Sequence, residues 1–171
     1  MSDVIINRVS ESVLSTIDLE EFYPGKELVL FDLKEYLFMK LILKEKDFRE
    51  GLKNTDWNFY SGKIVAVTCT ADAIIPMWAY MLVGSYLQPV AADVVYGDEA
   101  RALDELVIKN IRQLNAEEFA GKRVVVKGCG DKQVSERAYL EITLLLRPYV
   151  KSIMYGEPCS TVPVYKQPSV R

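Results

Sequence analysis

Three cysteines and no histidine set the terms for any chemistry this 171-residue chain performs. Without imidazole there is no histidine-based triad, no His-rich zinc site and no ordinary general base near neutral pH. Thiols remain as the soft nucleophiles and metal ligands. Cys129 stands between glycines in Lys127-Gly128-Cys129-Gly130-Asp131, and Cys159 follows Gly156-Glu157-Pro158. Glycine lets a backbone take positive φ and lets a ligand come close. A helix whose amino end faces the Cys129 loop would, together with Lys127, favour a thiolate or a bound anion there. Together Cys129 and Cys159 could form a redox pair, or hold a metal with Asp131 or Glu157. The plainer alternative is two small residues in crowded turns. Cys69 reads as a buried, inert thiol. A second kind of site would use Thr70, Asp72, Gly128 and Gly130 as anion-binding loops at helix amino ends. Asp72 and Asp131 are a carboxylate pair or, more simply, helix-entry caps.

Several other chemistries lack their residues. There is no Walker loop, GxGxxG fingerprint or paired CxxC motif. Three cysteines fall short of the four that usually hold an iron–sulfur cluster. A second subunit in a homodimer, or an Asp or Glu ligand, would have to complete one.

An internal repeat tells which elements position these loops. Slid by 59 residues, the stretch 60–98 lies on 119–157 without a gap, with eleven identities in 39 positions. Among them Gly62, Asp72, Ala79, Pro89 and Gly97 meet Gly121, Asp131, Ala138, Pro148 and Gly156. Each copy reads as a β-α-β unit. Runs rich in β-branched residues at 63–67 and 123–126 predict buried parallel strands. Helices then start near Pro76 and Ser135 and end before Pro89 and Pro148. Second strands follow at 93–96 and 152–155. Between the copies, Leu103, Leu106, Val107, Ile111 and Leu114 have helical spacing.

The resulting expectation is a single α/β domain, 1–171, whose core at 59–171 is one parallel sheet. A flavodoxin-like or Rossmann-like order, 2-1-3-4, would put a ligand crevice between the strands at 63–67 and 123–126; the order 1-2-3-4 would not. Residues 1–58 are expected as a cover, mostly helical. An edge strand is read at 15–22, a helix through Leu33, Tyr36, Leu37 and Leu41 after an Asp32 cap, and another at Phe48 and Leu52.

The chain's formal charge of −3 gives no Lys/Arg surplus for phosphate, so no nucleic-acid partner is expected. The segment 74–87 is broken by Pro76 and Gly84 and falls short of the roughly 20 residues of a spanning helix, so no membrane partner is expected either. The amino terminus lacks the apolar stretch of a signal peptide, and an odd cysteine count suits a reducing compartment. Both point to the cytoplasm.

Three segments carry a family resemblance: 71–80, reading Ala-Asp-Ala-Ile-Ile-Pro-Met-Trp-Ala-Tyr; the Lys127-Gly128-Cys129 loop; and 156–163, reading Gly-Glu-Pro-Cys-Ser-Thr-Val-Pro. With them nearly the whole chain resembles the bacterial domain-of-unknown-function family 2480. Ser135 stands where proline is common in that family, a departure that touches helix entry alone. The resemblance implies no established activity. It implies an accessory role beside iron–sulfur assembly proteins, with Cys129 and Cys159 as sulfur acceptors, cluster ligands or partner contacts. A small-molecule or anion-binding module, and a scaffold without chemistry, are the competing readings.

Overall fold

The computed structural model describes residues 14–128, 130–157 and 159–168. In chain order the strands and helices are β1 (Leu14–Asp18), β2 (Leu28–Asp32), α1 (Glu45–Lys53), β3 (Ile64–Thr68), α2 (Met77–Leu87), β4 (Asp93–Tyr96), α3 (Glu99–Arg112), β5 (Arg123–Lys127), α4 (Glu136–Leu146), β6 (Ser152–Glu157) and β7 (Ser160–Lys166). They fall into two compact units. Pro24–Glu105 forms one, inserted within the other, which comprises Met1–Tyr23 and Leu106–Arg171.

The inserted unit is built on a three-stranded, all-parallel sheet in the order β2-β3-β4. The central strand β3 has the sequence Ile-Val-Ala-Val-Thr and is buried at every position. That is what a continuous β-branched run does when both faces of a parallel strand are covered. On one face Val65 and Val67 pack with Phe31, Leu33, Phe48, Leu52, Ile75, Ala79, Val83 and Leu87. Ala79, Val83 and Leu87 recur every four residues, so α2 lays one stripe against the sheet. Each such fully buried Leu or Phe contributes about 1.5–3 kcal/mol relative to exposure.

The enclosing unit has the sheet order β1-β5-β6-β7, parallel except for the β6–β7 hairpin. Its core repeats the plan: Val124 and Val126 pack with Ile17, Leu19, Val107, Ile108, Ile111, Ala138, Ile142 and Leu146.

The repeat is longer than the sequence identities show. At the same offset of 59, α2 meets α4 end to end, and β3 meets β5. The 3-10 helices Trp57–Tyr60 and Ala116–Phe119 also coincide, as do Phe48 and Leu52 of α1 with Val107 and Ile111 of α3. A second offset, of 14, relates the first strands. Leu14, Asp18, Leu19 and Glu21 of β1 and the 3-10 helix after it match Leu28, Asp32, Leu33 and Glu35. Each copy therefore reads strand, 3-10 helix, α-helix, 3-10 helix, strand, α-helix, strand; the enclosing unit adds β7, and the boundary between the units falls within α3. The second copy is split after its first 3-10 helix, and the first copy sits in the gap.

Both β-α-β units are present with parallel strands, as the repeat required. The single sheet is not. β3 and β5 lie in different sheets, so neither 2-1-3-4 nor 1-2-3-4 describes the order. The reason lies in 1–58, which is no purely helical cover. Each parallel pair needs a neighbour on its open edge, and β1 and β2 from that segment supply one to each sheet. The expected strand at 15–22 stops at Asp18, and the expected helix at 33–41 is only the 3-10 helix Leu33–Tyr36. Leu37 and Leu41 belong to a small hairpin closed by a Phe38–Ile42 bridge. Among the described residues no helix is long and apolar enough to cross a membrane.

Candidate functional site

The thiol loops of the enclosing unit leave adjacent strands. β5 and β6 pair in parallel register, Val126 opposite Tyr155, so the loops after Lys127 and after Glu157 emerge from the same edge of one sheet. β1 ends there too, with Asp18 opposite Lys127. Cys129 and Pro158 lie outside the described residues. Cys159 is exposed in the turn joining β6 to β7. Gly156 shapes that turn: its φ is +117°, and a Cβ there would stand 2.5 Å from the Ser160 carbonyl oxygen.

Charge at this edge is balanced within the chain. The Lys127 ammonium lies 3.0 Å from an Asp18 carboxylate oxygen. The hydrogen bond to Asp18 holds the Lys127 pKa above its ordinary value, with the charges of Asp18 and Glu157 adding to it. For Asp18, burial is the largest single influence and pushes upward; the Glu20 N–H and Lys127 together outweigh it, so the pKa falls. Beside this pair, the Glu20 carboxylate accepts hydrogen bonds from the backbone N–H of Gly130 and, at 3.3 Å, of Lys132. The Lys132 ammonium returns to the Glu20 carbonyl at 3.3 Å. The Tyr23 hydroxyl donates to the Gln133 carbonyl.

These contacts explain the glycines of the loop. A Cβ at Gly128 would stand 2.7 Å from the Tyr139 hydroxyl and 3.3 Å from Leu19 Cβ, and one at Gly130 would meet the Glu20 carboxylate. At both positions the space beside the backbone is taken by the chain's own side chains.

The inserted unit carries the matching edge. Asp32 ends β2, and one of its oxygens accepts from the N–H groups of Lys34 at 2.9 Å and Thr70 at 3.1 Å. The other accepts from the Thr70 hydroxyl at 2.5 Å. Burial again pushes upward first, but the Thr70 hydroxyl and the two amides prevail, and the Asp32 pKa is lowered. Thr70 is the repeat counterpart of Cys129. Cys69 is half-buried, packs against the core and points its thiol toward the Ala71 carbonyl at 3.7 Å. It is less enclosed than a fully buried position would be, because it lies one residue past the strand.

Asp72 and Asp131 are exposed and cap neither helix. Pro76 precedes α2 without a side-chain cap, and the Ser135 hydroxyl caps α4 by accepting from Ala138 N–H at 3.2 Å. The strand-end acids that organise backbone are Asp18 and Asp32, each capping a 3-10 helix. Sequence reasoning passed over Asp18 and Glu20; the signal was the Leu-x-x-x-Asp-Leu pattern shared by 14–19 and 28–33. Among the described residues no three Asp, Glu or Cys side chains gather to hold a metal ion.

A family model matches residues 3–167, nearly the whole chain, and is described as protein of unknown function (DUF2480). The chain belongs to that family. No curated protein and no solved structure matches it. In this DUF2480 chain the segment 156–163 is the β6–β7 hairpin that presents Cys159. The other quoted segments are the approach to α2 with its first turns and the loop leaving β5.

Proposed function

We propose that the chain is an accessory factor of iron–sulfur cluster assembly or sulfur trafficking, receiving sulfur or a partner's cluster at Cys129 and Cys159. One observation carries the reading: the two cysteine loops leave neighbouring parallel strands at one sheet edge, and Cys159 is exposed. The matching chemistry is thiol exchange. A cysteine thiolate attacks the outer sulfur of a donor persulfide, a new S–S bond forms, the donor's S–S bond breaks, and the donor leaves as its thiolate. Cluster binding would draw further ligands from a second subunit or a partner.

The anion-binding alternative has less support. Its loop amides already serve carboxylates of the chain: Thr70 N–H donates to Asp32, and Gly130 and Lys132 N–H donate to Glu20. Lys127 is likewise engaged by Asp18.

Anaerobic purification followed by iron, sulfide and persulfide analysis tests the proposal. Bound sulfur or iron should be present after exposure to a persulfide donor or an assembly scaffold, and absent from Cys129→Ala and Cys159→Ala. Its retention by both variants, or its absence from the parent chain, would reject the reading. Thermal stabilisation by phosphate or nucleotide, undiminished in both variants, would favour the anion-binding module instead.

A further inference from the structure

We propose that the hairpin 37–44 of the inserted unit docks the protein on an anionic phospholipid surface. The segment reads Leu-Phe-Met-Lys-Leu-Ile-Leu-Lys. Leu37 and Leu43 turn inward and pack against the core, fixing the base. The other four apolar side chains face solvent, Phe38 47%, Met39 75%, Leu41 61% and Ile42 58% exposed. Scattered exposed apolar residues are ordinary, but four on one short projection are not.

The backbone holds them outward. Phe38 and Ile42 exchange hydrogen bonds of 2.8 and 3.1 Å, which close a turn with Met39 at φ 51° and Lys40 at φ 59°. Left-handed backbone at two successive side-chain-bearing residues is unfavourable. The repeat shows that the hairpin is dispensable to the fold plan. It lies between the first 3-10 helix and the first α-helix, the place where the enclosing unit instead carries the whole insertion.

Charge and chemistry select the occupant. Between Leu37 and Lys44 there are two lysines and no acid, and the weak thioether sulfur of Met39 is the sole side-chain hydrogen-bond acceptor there. The Lys44 ammonium lies 3.3 Å from the Phe38 ring centre, at the margin of the apolar tip. Of the flanking acids, Glu45 is paired with Arg49 at 2.9 Å. An apolar tip with a rim of ammonium groups suits acyl chains below and anionic headgroups around. A protein groove would normally be met by a polar rim with both donors and acceptors. Because the whole chain carries −3, attraction to the surface must come from these local lysines.

Co-sedimentation of the full chain with phosphatidylcholine vesicles, with or without about one-third phosphatidylglycerol, tests this. The chain should pellet with the anionic vesicles alone and be released by about 0.5 M salt. Met39→Asp/Leu41→Asp and, separately, Lys40→Glu/Lys44→Glu should each weaken binding by about tenfold or more, with unchanged circular dichroism. Met39→Trp should blue-shift its emission on anionic vesicles. Cys129→Ala/Cys159→Ala should bind as the parent does, which separates this surface from the thiol site. Failure to pellet, pelleting unaffected by the two aspartates, or an unshifted tryptophan would each overturn the proposal. So would a chain that ignores vesicles but self-associates until the aspartates are introduced, since the occupant would then be a second copy.

Discussion

Two oxygens of Asp32 accept three hydrogen bonds and tie the end of β2 to the loop after β3. Asp32→Ala should therefore lower stability in urea by about 1–2 kcal/mol, because a helix cap and charge-assisted bonds are lost while water takes up the exposed donors of Thr70. The pH dependence has a definite sign. Asp18 and Asp32 both have folded pKa values below the ordinary 3.8, so their contribution is present above that value and is lost as pH falls through the depressed folded values. In Asp18→Asn/Asp32→Asn the acid limb of the stability profile should be flatter than in the parent; an identical limb would mean that other carboxylates govern acid unfolding. At Gly128 the contact is steric. Gly128→Ala brings a methyl to 2.7 Å from the Tyr139 hydroxyl, and a loss of about 1–3 kcal/mol is expected in thermal melts. Alkylation should separate the described thiols, with exposed Cys159 labelling well before half-buried Cys69. At this scale the loops at strand ends were legible because the repeat located them. Their neighbours were not: Glu20 and Gly130 are 110 residues apart, and no local pattern announces that hydrogen bond.

The elements of the repeat were legible almost to the residue. β-branched runs, apolar spacing and the prolines at 76, 89 and 148 are local signals that tertiary packing reinforced. The hairpin at 37–44 was not legible, because Leu33, Tyr36, Leu37 and Leu41 have helical spacing while Met39 and Lys40 carry none of the residue types that mark a turn. Strain at Lys40 gives a direct check. Lys40→Gly places the residue best suited to positive φ at φ 59° and should raise stability by about 0.5–1 kcal/mol, read as a higher denaturation midpoint. A lower midpoint would show that Lys40 is not strained.

At the scale of the whole chain, strand pairing was the part that local patterns left open. The identities between copies establish what each β-α-β unit contains, but the edge neighbours come from 14–18 and 28–32, where the resemblance is brief and its offset differs. The main hydrophobic cluster of the inserted unit draws its buried members from between Phe31 and Leu87, and Ala102 is buried beyond it. A polypeptide of residues 24–105 is thus expected to unfold cooperatively in urea; a molten, non-cooperative fragment would show that its core needs the rest of the chain.

Order of synthesis gives the nested arrangement a further meaning. β1 is among the first described segments to leave the ribosome, yet its partner β5 begins 109 residues after β1 does, whereas β2 and β3 begin 36 residues apart. The inserted unit can close around its own strands while β1 still trails unpaired from the growing chain. In that interval Leu14, Ile17 and Leu19 are apolar residues with no sheet to join. A nascent-chain binder that shields them until β5 emerges would raise the yield of native protein without recognising anything in the finished fold.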